Sequence, residues 1–207
     1  VPRARRIRVN RRAVTWLCGI VLVLLALIGI AQLLGITINT SPSMPTGVWQ
    51  VAPVERPVAI GDIVVACLPK DVAIVGLQRG YIGRGACPSG VGPILKFVAA
   101  TGGDTVTIDA SGISVNGVRL PHSRTAKHDD RGRKLSSVAP GTYHLGEGQL
   151  WLWTPYSGSW DSRYFGVIAI QDVRSIARLL YQDAPPSFDF GATRRLLERL
   201  QLQAKTL

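Results

Sequence analysis

Between Ala13 and Leu34 the chain has no charged residue, and beyond Gly35 the pattern changes to short apolar runs broken by Gly, Pro and Asp. A helix over those twenty-two residues, rising about 1.5 Å per residue, is about 33 Å long and spans a hydrocarbon core of roughly 30 Å. The pattern predicts a transmembrane helix over residues 13–35. A cleavable signal peptide has a shorter apolar core, so the segment reads as a retained anchor. After it, 47–51, 62–68, 94–100, 104–109, 112–120, 149–153 and 165–170 are β-branched or aromatic runs, the composition of an antiparallel β domain. The stretches 53–57 and 121–140 read as loops, the second rich in charge. In the tail, residues 184–207, Leu196, Leu197 and Leu200 recur at helical spacing among Arg194, Arg195 and Arg199. That spacing predicts a short amphipathic helix. It either packs on the domain, the plainer reading, or lies on a membrane surface.

The formal net charge of +11 is concentrated at one end: Arg3, Arg5, Arg6, Arg8, Arg11 and Arg12 stand in the first twelve residues with no acid among them. Placed against an apolar span, this cluster predicts a cytoplasmic segment over residues 1–12 by the positive-inside rule, and an exported domain over residues 36–183. No RNA-recognition signature or zinc-finger spacing accompanies the basic residues, so nucleic acid is not expected as a partner. Cys67 and Cys87 are the two cysteines of the exported part, and in an oxidising compartment a bridge is the expectation, with two buried thiols as the alternative. Cys18 falls within the apolar span.

The stretch "INTSPSMPTGVWQV", residues 38–51, places a hydroxyl-rich turn just past the anchor. Ser43 is nine residues beyond Leu34, a reach of at most about 32 Å, so the turn sits near the membrane surface. A serine hydroxyl needs a base to act as a nucleophile. His122, His128 and His144 lie in or beside polar loops and read as surface residues. Lys96, in "ILKFV", has apolar neighbours on both faces of its strand. A buried amine loses its proton more easily and suits a general base, whereas an edge lysine would extend its head to water. The strand pattern leaves both open. In "SGSWDSRYFG" (157–166), Ser159, Asp161 and Arg163 alternate, so an extended chain places them on one face, where Ser159 can hold an amine and Asp161–Arg163 can brace a wall.

In order and spacing "SPSM", "GDIVV" (61–65), "KFVAATGGD" (96–104) and "SWDSRYFG" together resemble the type I signal peptidases, over residues 13 to about 170. The resemblance implies a signal-peptidase-like antiparallel β domain on a single N-terminal transmembrane helix. It implies Ser43 as nucleophile, Lys96 as general base, and Ser41 with Ser43 as the oxyanion site. Ser159 would orient the lysine, with Asp161 and Arg163 as structural support, and no metal or cofactor is needed. Pro45 directly after Met44, Phe97 after the lysine and the missing GDN ahead of the last box are closer to the conjugal-transfer branch of that family. Members of that branch mature the transfer-pilus subunit, and the acyl-enzyme can be resolved by the substrate's own amine to give a cyclic product. The implied partners are a pilin precursor, or another membrane-embedded preprotein, and the lipid bilayer. The implied location is a bacterial inner membrane with a cytoplasmic N-terminus and a periplasmic catalytic domain. The rival readings are a housekeeping signal peptidase and, in another class, a catalytically silent periplasmic scaffold of a transfer or secretion machine.

Overall fold

The computed structural model describes residues 11–204. The basic segment read over residues 1–12 therefore lies, through residue 10, outside the described residues, as do tail residues 205–207. Helix α1, Arg11–Leu33, is about 34 Å long at 1.5 Å per residue. Its span Val14–Leu33 is long and apolar enough to cross a membrane, and none of it is buried against the rest of the chain. Gly35 then adopts φ 68, and a Cβ there would lie 2.0 Å from the Val51 carbonyl oxygen. Only glycine lets the chain turn from the helix directly into a strand at that point.

The chain continues through β1 (Ile36–Asn39), β2 (Gly47–Ala52), β3 (Ile63–Ala66), α2 (Lys70–Arg79), β4 (Ile94–Ala100), β5 (Thr105–Asp109), β6 (Gly112–Val115) and β7 (Val118–Arg119). There follow β8 (Gly141–His144), β9 (Gln149–Trp153), α3 (Ser162–Phe165), β10 (Ile168–Ala169), a 3-10 turn at Ile170–Asp172, β11 (Val173–Gln182) and α4 (Phe190–Ala204). One sheet has the order β1-β2-β11-β3-β4-β9-β10 and the other β7-β6-β5-β8. Every pairing is antiparallel.

Strand alternation divides the large sheet's side chains between two cores. Trp49, Phe97, Trp151 and Trp153 pack with Val106, Ile113 and Val115 of the smaller sheet and with Leu197 and Leu200 of α4. Val64, Val98, Leu150 and Leu152 point the other way, towards Ala73 of α2. Tail helix α4 is thus built into the domain: Leu197 and Leu200 are wholly buried, and its charged side faces out. Its apolar side is occupied by the core and is not free to lie on lipid. Cys67 at the end of β3 and Cys87 beyond α2 are joined, enclosing α2 and the segment after it.

Several predicted runs are shorter or broken. Residues 112–120 are not one strand but β6 and β7, because Asn116 (φ 49) and Gly117 (φ 80) make a two-residue hairpin turn. Of 165–170 only Ile168–Ala169 is strand. Five elements had no counterpart in the predicted runs: α2, α3, β1, β8 and β11.

Candidate active site

Ser43 sits in the seven-residue connection between β1 and β2, whose ends pair at Asn39 and Gly47. Gly47 is required where β11 crosses: a Cβ would lie 2.2 Å from the Tyr181 carbonyl oxygen, and φ is 131. Met44 is wholly buried in the larger core and so pulls the turn inward, leaving Ser41 and Pro42 outside and Ser43 only 7 % exposed. From the far side, Thr46 is tied to Asp183 by its hydroxyl and by the Asp183 N–H donating to the Thr46 carbonyl at 3.2 Å.

Lys96 is in the middle of β4, opposite Val64 of β3, on the face that carries Ile94 and Val98. It is 5 % exposed, so its amine stays within the fold and does not reach water. The Lys96 Nζ donates to Ser43 Oγ at 2.7 Å. Desolvation lowers the Lys96 pKa from 10.5 to about 8, opposed by the attraction of Asp161 and aided by the repulsion of Arg163. At pH 7 about a tenth of the molecules then hold a neutral amine, far more than for a free lysine. The Ser41 and Ser43 hydroxyls are 3.0 Å apart, and the Ser43 N–H points at Ser41 Oγ at 3.4 Å. The Ser43 amide and the Ser41 hydroxyl thus lie together beside the Ser43 Oγ.

The last box differs from its extended reading. Asp161 is the N-cap of α3, accepting from the Arg163 N–H at 3.2 Å, and Arg163 is inside that short helix. The two side chains still meet. Arg163 Nε and Nη2 donate to the Asp161 carboxylate at 2.8 and 2.9 Å, both residues being fully buried. The remaining guanidinium donors reach the carbonyls of His122, Arg124, Tyr156 and Ser159, tying the 122–124 loop to the cleft wall. A carboxylate locked to a guanidinium in this way pulls less strongly on the nearby lysine proton. Ser159 is buried and lines the same cleft as Lys96, but its Oγ has no hydrogen-bond partner, so the expected bond to the amine is not formed here. The three histidines are exposed, as read.

The cleft over this pair is about 440 Å³, with the serines and lysine at its floor and Ile82, Ile94, Leu95, Tyr156 and Trp160 around it. Gly80–Gly83, inside the disulfide loop, forms one wall. Two contributors were missed in the sequence. Tyr81 donates to Asp129 at 2.6 Å and so docks the charged 126–135 loop beside the cleft. Asn39, whose side chain holds the serine turn, was legible only as an Asx residue ahead of a Ser-Pro pair.

A buried amine on a serine hydroxyl, next to an amide and a second hydroxyl, can in chemical terms generate an alkoxide and receive an oxyanion. The model of the family "Signal peptidase, peptidase S26" matches residues 9–182. The chain is 34 % identical over 180 residues to the probable conjugal transfer protein TraF of Sinorhizobium fredii, covering 85 % of this chain and 94 % of that one. It is 39 % identical over 158 residues to a plasmid transfer protein TraF of Escherichia coli, covering 74 % of this chain and 87 % of that one. Among solved structures it is similar to a signal peptidase I of Enterococcus faecalis at 18 % identity and TM-score 0.34, over 59 % of this chain and 97 % of that one. With the family match running from the apolar helix through β11, the chain belongs to the signal peptidase family, peptidase S26.

Proposed function

We propose that this protein is a membrane-anchored serine endopeptidase, with Ser43 as nucleophile and Lys96 as general base, that processes a conjugative pilin precursor at the periplasmic face of a bacterial inner membrane. The observation that carries the reading is the 2.7 Å contact between a desolvated amine and the Ser43 hydroxyl.

In its neutral form Lys96 accepts the Ser43 proton as Oγ attacks the scissile carbonyl. Negative charge develops on the carbonyl oxygen, within reach of the Ser43 N–H and Ser41 O–H, where fixed dipoles are worth more than in water. Collapse of the tetrahedral intermediate breaks the peptide bond. The leaving amine takes the proton from Lys96, and the acyl group stays on Ser43. A water, or an amine of the substrate held near the ester, then attacks with Lys96 again as base, the bond to Ser43 Oγ breaks, and Lys96 returns the proton to that oxygen. A tethered amine has a high effective molarity and can outcompete water, giving a cyclic product. The relatives are conjugal and plasmid transfer proteins by name, which supports a substrate from a transfer machine, and the resemblance to their branch points to the pilin precursor.

The test is processing of a purified pilin precursor by the full chain in detergent, read by mass. The rate is expected to rise with pH through about 8. Ser43→Ala should reduce it to background with the fold intact, and the product mass separates the cyclic from the hydrolysed form. Processing at the wild-type rate by Ser43→Ala, or no processing by the wild type, overturns the proposal.

A further inference from the structure

We infer that Asn39 is a positioning residue for the Ser43 turn: its side-chain amide, by bridging the turn's carbonyls, sets the direction of the oxyanion donors. The inference rests on the Ser43–Lys96 reading above. The turn between Asn39 and Gly47 contains Pro42 and Pro45, neither of which has an N–H to donate. Its own backbone bond, from the Met44 N–H to the Ser41 carbonyl, is long at 3.4 Å. A turn poor in backbone bonds needs side chains to satisfy its carbonyls and fix its shape.

Asn39 does this from the last position of β1. Its Nδ2 donates to the carbonyls of Ser41, Met44 and Pro45 at 2.9, 3.1 and 3.0 Å, and its Oδ1 accepts from the Ser41 N–H at 3.1 Å. Two amide hydrogens serve three acceptors, so one is shared. The contacts fall on both sides of Ser43 in sequence, on Ser41 before it and on Met44 and Pro45 after it. They leave the Ser43 amide and the Ser41 hydroxyl free of Asn39 itself. The Trp49 indole donates to the Pro45 carbonyl at 3.0 Å from inside the core, so the far end of the turn is held from two directions.

A neutral carboxamide is the chemistry this place demands. It must donate to three oxygens and accept from one N–H at the same site. An aspartate of the same shape keeps the acceptor but sets negative charge against three carbonyls. Alanine leaves the Ser41 and Met44 carbonyls to water, and around Ser43 the backbone keeps only its long internal bond while Trp49 still holds Pro45.

The experiment compares wild type, Ser43→Ala, Asn39→Ala and Asn39→Asp as full-length protein on the pilin precursor. Each is measured for kcat, KM, pH profile and melting temperature. Displacing the oxyanion donors by an ångström corresponds to a loss of about a hundredfold in rate. Asn39→Ala is expected to lower kcat by that order and leave KM within about twofold. The rise in rate should stay near pH 8, because the burial of Lys96 is untouched. Asn39→Asp, which preserves shape, should be at least as slow, and this keeps the test decisive if the alanine variant folds poorly. A wild-type kcat in Asn39→Asp overturns the role of the donated bonds. So does a loss in Asn39→Ala that falls entirely on KM or tracks the melting temperature. If Ser43→Ala is as active as wild type, the nucleophile assignment has failed first, and the Asn39 data are then read as evidence against both.

Discussion

Replacing Lys96 with methionine is expected to destroy activity and, at neutral pH, to stabilise the protein. The folded chain holds the Lys96 amine at about 8, against 10.5 for the free group. Each pKa step is worth 1.36 kcal/mol, so below pH 8 burial of the charged amine costs on the order of 3 kcal/mol. Between about 8 and 10.5 the unfolded chain still binds the proton and the folded chain does not, so stability rises with pH across that window. Above 10.5 both forms are neutral and the penalty is gone. Methionine is unbranched, fills the same channel and has no charge to desolvate. The lost bond to Ser43 Oγ offsets about 1 kcal/mol of the gain. A net of about 2 kcal/mol corresponds to roughly 4–8 °C in melting temperature for a chain of this size. Thermal unfolding followed by near-UV circular dichroism in detergent reads this directly. The gap between variant and wild type should be largest at pH 7, vanish near pH 10 and reverse above 10.5, where only the lost bond of about 1 kcal/mol remains. A gap that does not change with pH, or a variant less stable at pH 7, would refute the buried-ammonium account.

Asp161→Ala removes one member of a fully buried ion pair and leaves the Arg163 charge uncompensated. Such losses run about 3–5 kcal/mol, so the melting temperature should fall by roughly 6 °C or more, and a change under 2 °C would contradict the bracing role. Reducing the Cys67–Cys87 bridge should loosen Gly80–Gly83 at the cleft wall. Loop closure of this size is worth about 3 kcal/mol, and the kinetic effect is expected in KM more than in kcat. Steady-state kinetics before and after reduction, with peptide mapping to verify the thiols, checks it. An unchanged KM in fully reduced protein would detach the bridge from substrate binding.

The sequence carries the anchor and the central strands plainly because each follows one period. A charge-free run reads as a span, and alternating β-branched residues read as a sheet. Helix α2 was missed although Pro69, Asp71, Arg79 and Gly80 stand at its ends, because only Ala73 and Gly76 of its ten residues are buried. Strand β11 was missed for a related reason. It mixes Arg174, Ser175 and Arg178 with apolar residues, and a register shift between Leu179 and Tyr181 breaks its alternation. At the site, residue types and order made Ser43 and Lys96 legible, but not the depth of the lysine. Its burial depends on α2 and the serine turn covering the sheet, which strand alternation alone does not encode. The Asp161–Arg163 pair formed although its extended reading was wrong, since a helix start brings residues two apart together through the cap.

The position of β11 has a consequence for the order in which the domain assembles. Among the described strands this one is translated after all the others, yet it lies between β2 and β3 in the middle of the sheet, and α4 after it closes the core. Asp183, just past the strand, holds Thr46 in the serine turn. Until residues 173–204 have been synthesised and delivered to the same side as the rest, β2 has only β1 beside it, and the serine turn lacks its outer brace. A partly made chain therefore lacks the braced turn that sets Ser43 against Lys96. The order in which the strands are translated thus ties assembly of the site to the arrival of β11 and α4.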